Sequence, residues 1–260
     1  MGIIIVFFMT LVAILGPILT DDVRISVRSF VPPTREAPLG TDDLGRDMLS
    51  QVTRGAGVSM TIGLTAALFS VIIGIIVGAS AGFFSGLIDE ILMRIAEAFQ
   101  VIPAFFLAIL IMALFRPSIH KIILVIAFLS WPSTARITRA EFYKLKSLDF
   151  VKAAQMSGTS KLRLIFWEML PNALPPIIVN TSLLVANSIL TESNLSFLGL
   201  GDPNNITWGR LLHNAQPFLR NAWWTAFFPG IAILLTVLGF NLLGDGLNDI
   251  FNPRNRGEVK

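Results

Sequence analysis

The stretch 55-GAGVSMTIGLTAALFSVIIGIIVGASAGFFSGLI-88 runs from Arg54 to Asp89 without one ionisable side chain. The hydrocarbon layer of a bilayer is about 30 Å thick, so a crossing helix needs about 20 mostly apolar residues. No water satisfies the backbone inside that layer, which leaves helices and closed barrels as the only spanning structures. This run is far too long for a barrel strand. Working outward, further charge-poor segments lie at Met1–Thr20, Ala98–Phe115, Ile119–Ala135, Pro171–Thr191 and Asn221–Gly244, the one at Ile119 being the shortest. Six crossings of an all-α, polytopic membrane protein are expected. Composition agrees, with 53% hydrophobic residues, 14% charged residues and a mean hydropathy of +0.70. Soluble domains carry about a quarter charged residues, so a water-soluble class is excluded.

Met1–Thr20 lacks a basic n-region, and Leu15-Gly16-Pro17 makes a poor cleavage site, so a retained helix is expected rather than a removed signal peptide. The chain has no cysteine, which rules out disulfides and thiolate metal sites. Six crossings place both termini on one side. Basic residues assign that side, because Arg136, Arg139, Lys144, Lys146, Lys152, Lys161 and Arg163 crowd one short loop, and Arg254, Arg256 and Lys260 follow the last span. Positive charge beside membrane helices marks the cytoplasmic face. The expected organisation is a first transmembrane helix at 1–20, an extracytoplasmic loop at 21–57 and a core at 58–260. That core carries a cytoplasmic loop at about 136–171. The net charge of +3 is explained by topology and anionic lipid, with no nucleic-acid pattern beside it.

The basic loop reads as two short helices. Asp149 is placed as the N-cap of the first and Gly158 as the residue beyond its end that takes φ > 0. Ser160 is placed as the cap of the second, which is expected to stop near Pro171. A helix of about nine residues is marginal in water and needs a surface to dock on. Two readings stay open on physics alone. Ala153 and Ala154 let a partner approach the backbone closely; alternatively Phe150, Val151 and Met156 face lipid and the helix lies on the membrane.

The pattern Ala153-Ala154, three residues, Gly158, then ten residues to Met169-Leu170-Pro171 resembles the EAA loop of ABC importer membrane subunits. In that family the loop docks into a groove on the ATP-hydrolysing subunit. Three further segments are similar to the second permease of dipeptide, oligopeptide and nickel importers. They are Pro38 to Asp47 with Arg54 to Ser59, Glu192 to Gly201 with Trp208-Gly209, and Gly244 to Asp249 with Asn252-Pro253-Arg254. Lys152 stands where the loop's name-giving Glu belongs and Glu168 where Ile is usual, so no Glu-mediated contact is expected at Lys152.

The resemblance implies a type I ABC importer permease in a bacterial or archaeal cytoplasmic membrane. Implied partners are a second, homologous permease subunit, two ATP-binding subunits that hold ATP and Mg, and an extracytoplasmic solute-binding protein. The implied coupling residues are Asp149, Lys152, Ala153, Ala154, Gly158, Ser160, Leu170 and Pro171. Gly158 and Pro171 would bracket the second loop helix as a lever. The implied cargo is di- or oligopeptide, with nickel chelates, opines and some oligosaccharides carried by siblings.

The chain is not expected to be an enzyme. It contains no Gly-x-x-x-x-Gly-Lys-Ser/Thr loop for phosphates, so ATP must be hydrolysed elsewhere. His120 and His213 lack ligand spacing, no Gly-x-Ser-x-Gly occurs, and neither cofactor nor metal is expected in this chain. A proton-coupled secondary transporter is the alternative class, but it needs relay carboxylates inside the spans, which hold almost none. Asn180, Asn187 and Glu192 are the named pathway or gate candidates, with Ser59, Thr61, Thr65, Ser70, Thr181 and Ser182 as further polar positions. Glu192, directly after an apolar span, either reaches the headgroup level or lines the path. In the outer loop Asp43, Arg46 and Asp47 are expected to pair locally beside Asp42. Gly74, Gly78, Ser80, Ala81 and Gly82 are expected to let helices pack closely.

Overall fold

The computed structural model describes residues 1–20 and 28–251; the expectations that concern 21–27 and Asn252 to Lys260 fall outside them. The described residues are overwhelmingly helical, with an antiparallel bridge between Thr41 and Asp47. The helices are α1 (Gly2–Leu19), α2 (Met48–Phe84), α3 (Gly86–Val101), α4 (Ala104–Leu114), α5 (Ile119–Lys146) and α6 (Asp149–Met156). They continue with α7 (Lys161–Arg163), α8 (Leu170–Leu195), α9 (Trp208–Ala215) and α10 (Trp224–Phe251). Among the described residues five helical segments are long and apolar enough to cross a bilayer: α1, α2, α5, Lys161–Leu200 and α10.

The expected crossing at Ala98–Phe115 takes a different form. It straddles the end of α3 and all of α4, which form a bent pair with a 78° break. Pro103 explains the break. The ring removes a backbone donor and forces the preceding residue out of the helical region, and Ile102 is extended at φ −95°, ψ 130°. At about 1.5 Å per residue α4 alone cannot cross, so six spans are reached only if the bent pair counts as one.

The expected stop at Pro171 is corrected. The second loop helix does not end there, because the helical run that begins at Lys161 passes through Pro171 and leaves helical geometry only at Gly199. Pro171 has no N–H for the usual i→i−4 bond. The turn before it, Leu164–Met169, opens into a π-helix, with the N–H of Leu170 reaching Ile165 O. Asn172 adds a side-chain donor to Glu168 O at 2.7 Å. Helices absorb such defects through π-bulges, so the proline marks a bulge rather than an end.

The chain divides into two compact units. One holds Met1–Ala66, Ala108–Ile126 and Val185–Leu243; the other holds Ala67–Leu107, Ala127–Leu184 and Gly244 onward. In the second unit Gly74, Gly78 and Gly82 form a one-per-turn stripe on α2 that lies against α5. A Cβ on Gly78 would stand 2.3 Å from Ala135 O, and one on Gly82 would stand 2.6 Å from Phe142 Cβ. The expected packing role of these glycines is thus met by backbone-to-backbone approach, as small residues permit in membranes.

In the first unit residues 28–47 are tied to helices. Asp42 is 7% exposed and accepts from the Leu44 and Arg46 backbone N–H groups, from Arg46 Nε at 2.6 Å and from Gln51 Nε2 at 3.0 Å. The expected local pairing therefore centres on Asp42 rather than Asp47. Asp47 instead accepts from Ser50 N at 2.8 Å and Ser50 Oγ at 2.9 Å, serving the first turn of α2. Trp224 donates to Thr41 O at 3.0 Å, and Trp208 donates to Val52 O at 3.0 Å.

Candidate functional site

The basic loop forms two helical pieces joined by a tight turn. Leu148, not Asp149, occupies the cap position of α6; Asp149 lies in the first turn, where its charge favours the helix N-terminus. Gly158 takes φ +77°, as expected, and the Gly158 and Thr159 N–H groups bond Gln155 O and Ala154 O. Ser160 caps the second piece, accepting from Arg163 N at 3.4 Å.

The surface that holds α6 in place is intramolecular. Val151 is fully buried in a cluster with Ala79 and Phe83 of α2, Phe142 and Leu145 of α5, and Leu164, Ile165, Met169, Ala173 and Ile177 beyond the turn. Of the three residues that the membrane-surface reading gives to lipid, Val151 faces the protein core instead, whereas Phe150 and Met156 are exposed, at 41% and 89%. The opposite side of the loop is open, with Lys152, Ala153, Gly158 and Ser160 exposed and Ala154 partly so. A Cβ on Gly158 would meet nothing within 4 Å. Leu162 and Trp167 add 69% and 73% exposed apolar side chains. Leu170 is half-buried and Pro171 exposed, both inside the continuous run rather than at its edge.

A polar cluster above the loop escaped the sequence reading. Asp89 on α3 is buried and paired with Arg139 on α5; Arg139 Nη2 donates at 2.6 Å and its Nε makes a second, short bond. Tyr143 Oη donates to the same carboxylate at 2.6 Å, and the Arg139 guanidinium lies 4.9 Å from the Tyr143 ring centroid. One turn on, Lys146 Nζ donates to Phe83 O at 2.8 Å and Ser85 Oγ at 3.0 Å. Ser85 is held at φ 56°, ψ −173°, a region that disfavours any side chain by about 1–3 kcal/mol. Arg139 and Lys146 look like topology charges in sequence, and only the fold turns them inward.

The pathway candidates fall in both units. Asn180 Nδ2 donates to Thr134 Oγ1 at 3.0 Å in the second unit. Asn187 is exposed in the first. Glu192 is completely buried there, so its side chain opens to no surface within this chain. Ser196 Oγ donates to it at 2.7 Å and Ser193 Oγ at 3.4 Å, and Thr207 and Ser59 hydroxyls complete the shell. Ser59, Ser70 and Ser182 are buried as well, whereas Thr61 lines an open cleft of about 590 Å³ with Arg54, Asn204 and Asn205. Beside it Asp202 organises the loop after α8, accepting from Asn204 N at 2.9 Å, Asn205 Nδ2 at 3.0 Å and Ile119 N at 3.2 Å. Burial opposes its ionisation most strongly, but these donors together with Arg210 outweigh burial and hold the carboxyl below its ordinary range. Among the described residues no group of acidic and histidine side chains could hold a metal.

Apolar spanning helices, no nucleotide loop, and a short helical loop rooted in the span cluster but open outward define a membrane permease subunit. Residues 70–257 match the model of the binding-protein-dependent transport system inner membrane component, and the chain belongs to that family. It is 44% identical over 217 residues to the dipeptide transport system permease protein DppC of Escherichia coli K12, covering 83% of this chain and 72% of that one. Its identity to the Bacillus subtilis DppC is 38% over 260 residues, covering 98% and 81%. A chain of the MetNI methionine ABC transporter in inward-facing conformations aligns with TM-score 0.63 at 16% identity, covering 79% of this chain and 98% of that one, which supports the fold alone. The chain is therefore a multi-pass inner-membrane permease subunit of an ABC importer, whose ATP is hydrolysed by separate subunits.

Proposed function

We propose that this chain forms half of the translocation path of a di- or oligopeptide importer, beside a second, similar permease subunit. Two ATP-binding subunits carry ATP and Mg, and an extracytoplasmic solute-binding protein delivers the cargo. The termini and the loop at about 136–171 face the cytoplasm, and residues 28–47 belong to the outer loop. The observation that carries the cargo assignment is the identity to two dipeptide permeases over most of this chain. The open face of Ala153, Ala154 and Gly158 supports docking of the ATPase, since a small-residue surface next to a rigid Val151 anchor admits close backbone contact. Lys152 reaches Asp149 at 3.5 Å on its own helix, which fits a shape-based rather than a Glu-mediated contact.

The absence of cysteine gives a clean test. Ala153→Cys in the assembled transporter, paired with single cysteines along the ATPase groove, is expected to cross-link in high yield. Labelled dipeptide uptake into proteoliposomes, with the binding protein and ATP, is expected to exceed nickel-chelate uptake. Equal labelling of Ala153→Cys by a lipid-soluble maleimide with no cross-link would reject the docking reading. Nickel-chelate uptake without dipeptide uptake would reject the cargo.

A further inference from the structure

We propose that Asp89, Arg139, Tyr143 and Lys146 form a clamp that transmits movement of the coupling loop to the corner between α2 and α3. This deepens the function proposed above and rests on it. The geometry is specific. Helix α6 follows directly on α5, whose last two turns carry three of these four side chains. Arg139 and Tyr143 grip Asp89 in the first turn of α3, so α3 is pinned near its origin rather than along its length. Lys146 grips the other side of the same corner, bonding the last turn of α2 through Phe83 O and the linking residue through Ser85 Oγ. From beyond the loop's turn, Lys161 places its ammonium 5.9 Å from the centroid of Phe84. Both limbs of the loop thus hold one two-residue corner.

That corner is the place where a small displacement becomes a change of helix direction. Ser85 and Gly86 both have positive φ, at 56° and 60°, and a Cβ on Gly86 would meet nothing within 4 Å. A side chain held in a disfavoured backbone region persists only when its surroundings over-determine it. Here the determinants are Lys146 on one side and the Asp89 cluster on the other. Local strain held by contacts that a moving element controls is what a two-position joint requires. The Asp89 side chain is 10% exposed and accepts from three donor groups while Arg139 is 37% exposed, so the link is fixed by the bidentate geometry at Asp89 and the Tyr143 hydroxyl rather than by burial of the whole pair. These are positioning residues; none is required to touch cargo.

The test uses the complete transporter in proteoliposomes, with Asp89→Asn, Tyr143→Phe and Lys146→Met made in the Ala153→Cys background. Three readouts are taken: cross-link yield to the ATPase, basal ATP hydrolysis, and peptide imported per ATP hydrolysed. Cross-linking and basal hydrolysis are expected within two-fold of the parent, while import per ATP falls roughly ten-fold, the size of one charge-assisted hydrogen bond lost. Asp89→Glu is expected to restore part of the loss. Tyr143→Phe keeps the ion pair and decides the matter if Asp89→Asn fails to assemble. Unchanged import per ATP in assembled Tyr143→Phe and Lys146→Met transporters would overturn the proposal, as would a loss proportional to lost assembly in all variants. Absence of the cross-link in the parent itself would instead reject the docking reading, so the two failures are distinct.

Discussion

Replacing Gly78 by alanine tests the seam between α2 and α5 with the smallest possible insertion. A Cβ there would lie 2.3 Å from Ala135 O, 2.7 Å from Thr138 Cβ and 3.0 Å from Ala135 C. The obstacle is backbone on a neighbouring helix rather than the end of a flexible side chain, so α2 and α5 must separate by about 1 Å to restore ordinary contact near 3.4 Å. Gly74 and Gly82 sit one turn to either side, where a Cβ would stand 2.5 Å from Thr134 Cβ and 2.6 Å from Phe142 Cβ of α5. Overpacking of this kind costs about 1–3 kcal/mol. Alanine also gains about 1 kcal/mol over glycine as a helix former. The net is a loss of up to about 2 kcal/mol, and because the obstacle is backbone the upper part of that range is expected, a shift of roughly ten-fold or more in the unfolding equilibrium. Gly230→Ala is the control, because a Cβ there meets nothing within 4 Å and only the propensity gain applies. Unfolding of the purified chain in mixed micelles at increasing dodecyl sulfate fraction measures both. If Gly78→Ala is as stable as the parent while Gly230→Ala behaves as expected, the two helices are not in backbone contact and the seam is wrong.

Two further outcomes follow from the first unit. Glu192→Ala leaves the Ser196, Ser193, Thr207 and Ser59 hydroxyls without their shared acceptor, and should lower stability by about 1–3 kcal/mol in the same micelle assay; Glu192→Gln, which keeps an acceptor oxygen, should lose less. A loss from Gln as large as from Ala would show that charge, not acceptance, matters there. Asp202 has a folded-state pKa below that of an unfolded aspartate, about 3.9, so its contribution is full above that value and disappears as pH falls through the folded value. Amide exchange at Asn204 and Ile119 should accelerate, relative to the pH trend of other amides, only below about pH 4. Asp202→Asn should remove that acid-specific change.

Much of the helical layout was legible because lipid imposes one rule on every residue of a span. Long charge-free runs such as Gly55 to Ile88 have no alternative to helix, so membrane class and most crossings follow from composition and spacing. The turn at Gly158 and the cap at Ser160 were legible for a similar reason, since each depends on the local conformational preference of a single residue type. Prolines were less informative. Pro103 breaks a helix by 78° while Pro171 passes through one with a π-turn, and the difference lies in whether neighbouring elements can supply the missing bonds and space.

The sequence by itself determined that this is a helical membrane protein whose basic loop holds two short helical pieces around a glycine turn, because hydrophobic length and single-residue propensities are local quantities. Tertiary structure alone decided which polar groups face inward. Asp89 and Arg139 are separated by 50 residues, as Trp208 and Ser59 are by 149, and each pair meets only when helices pack. An isolated charge in a sequence reads as solvent, lipid or topology, and its partner is a property of packing that no local spacing encodes. The enclosure of Glu192 by hydroxyls from three separate stretches follows the same logic, since burying a carboxyl requires donors delivered from elsewhere in the chain.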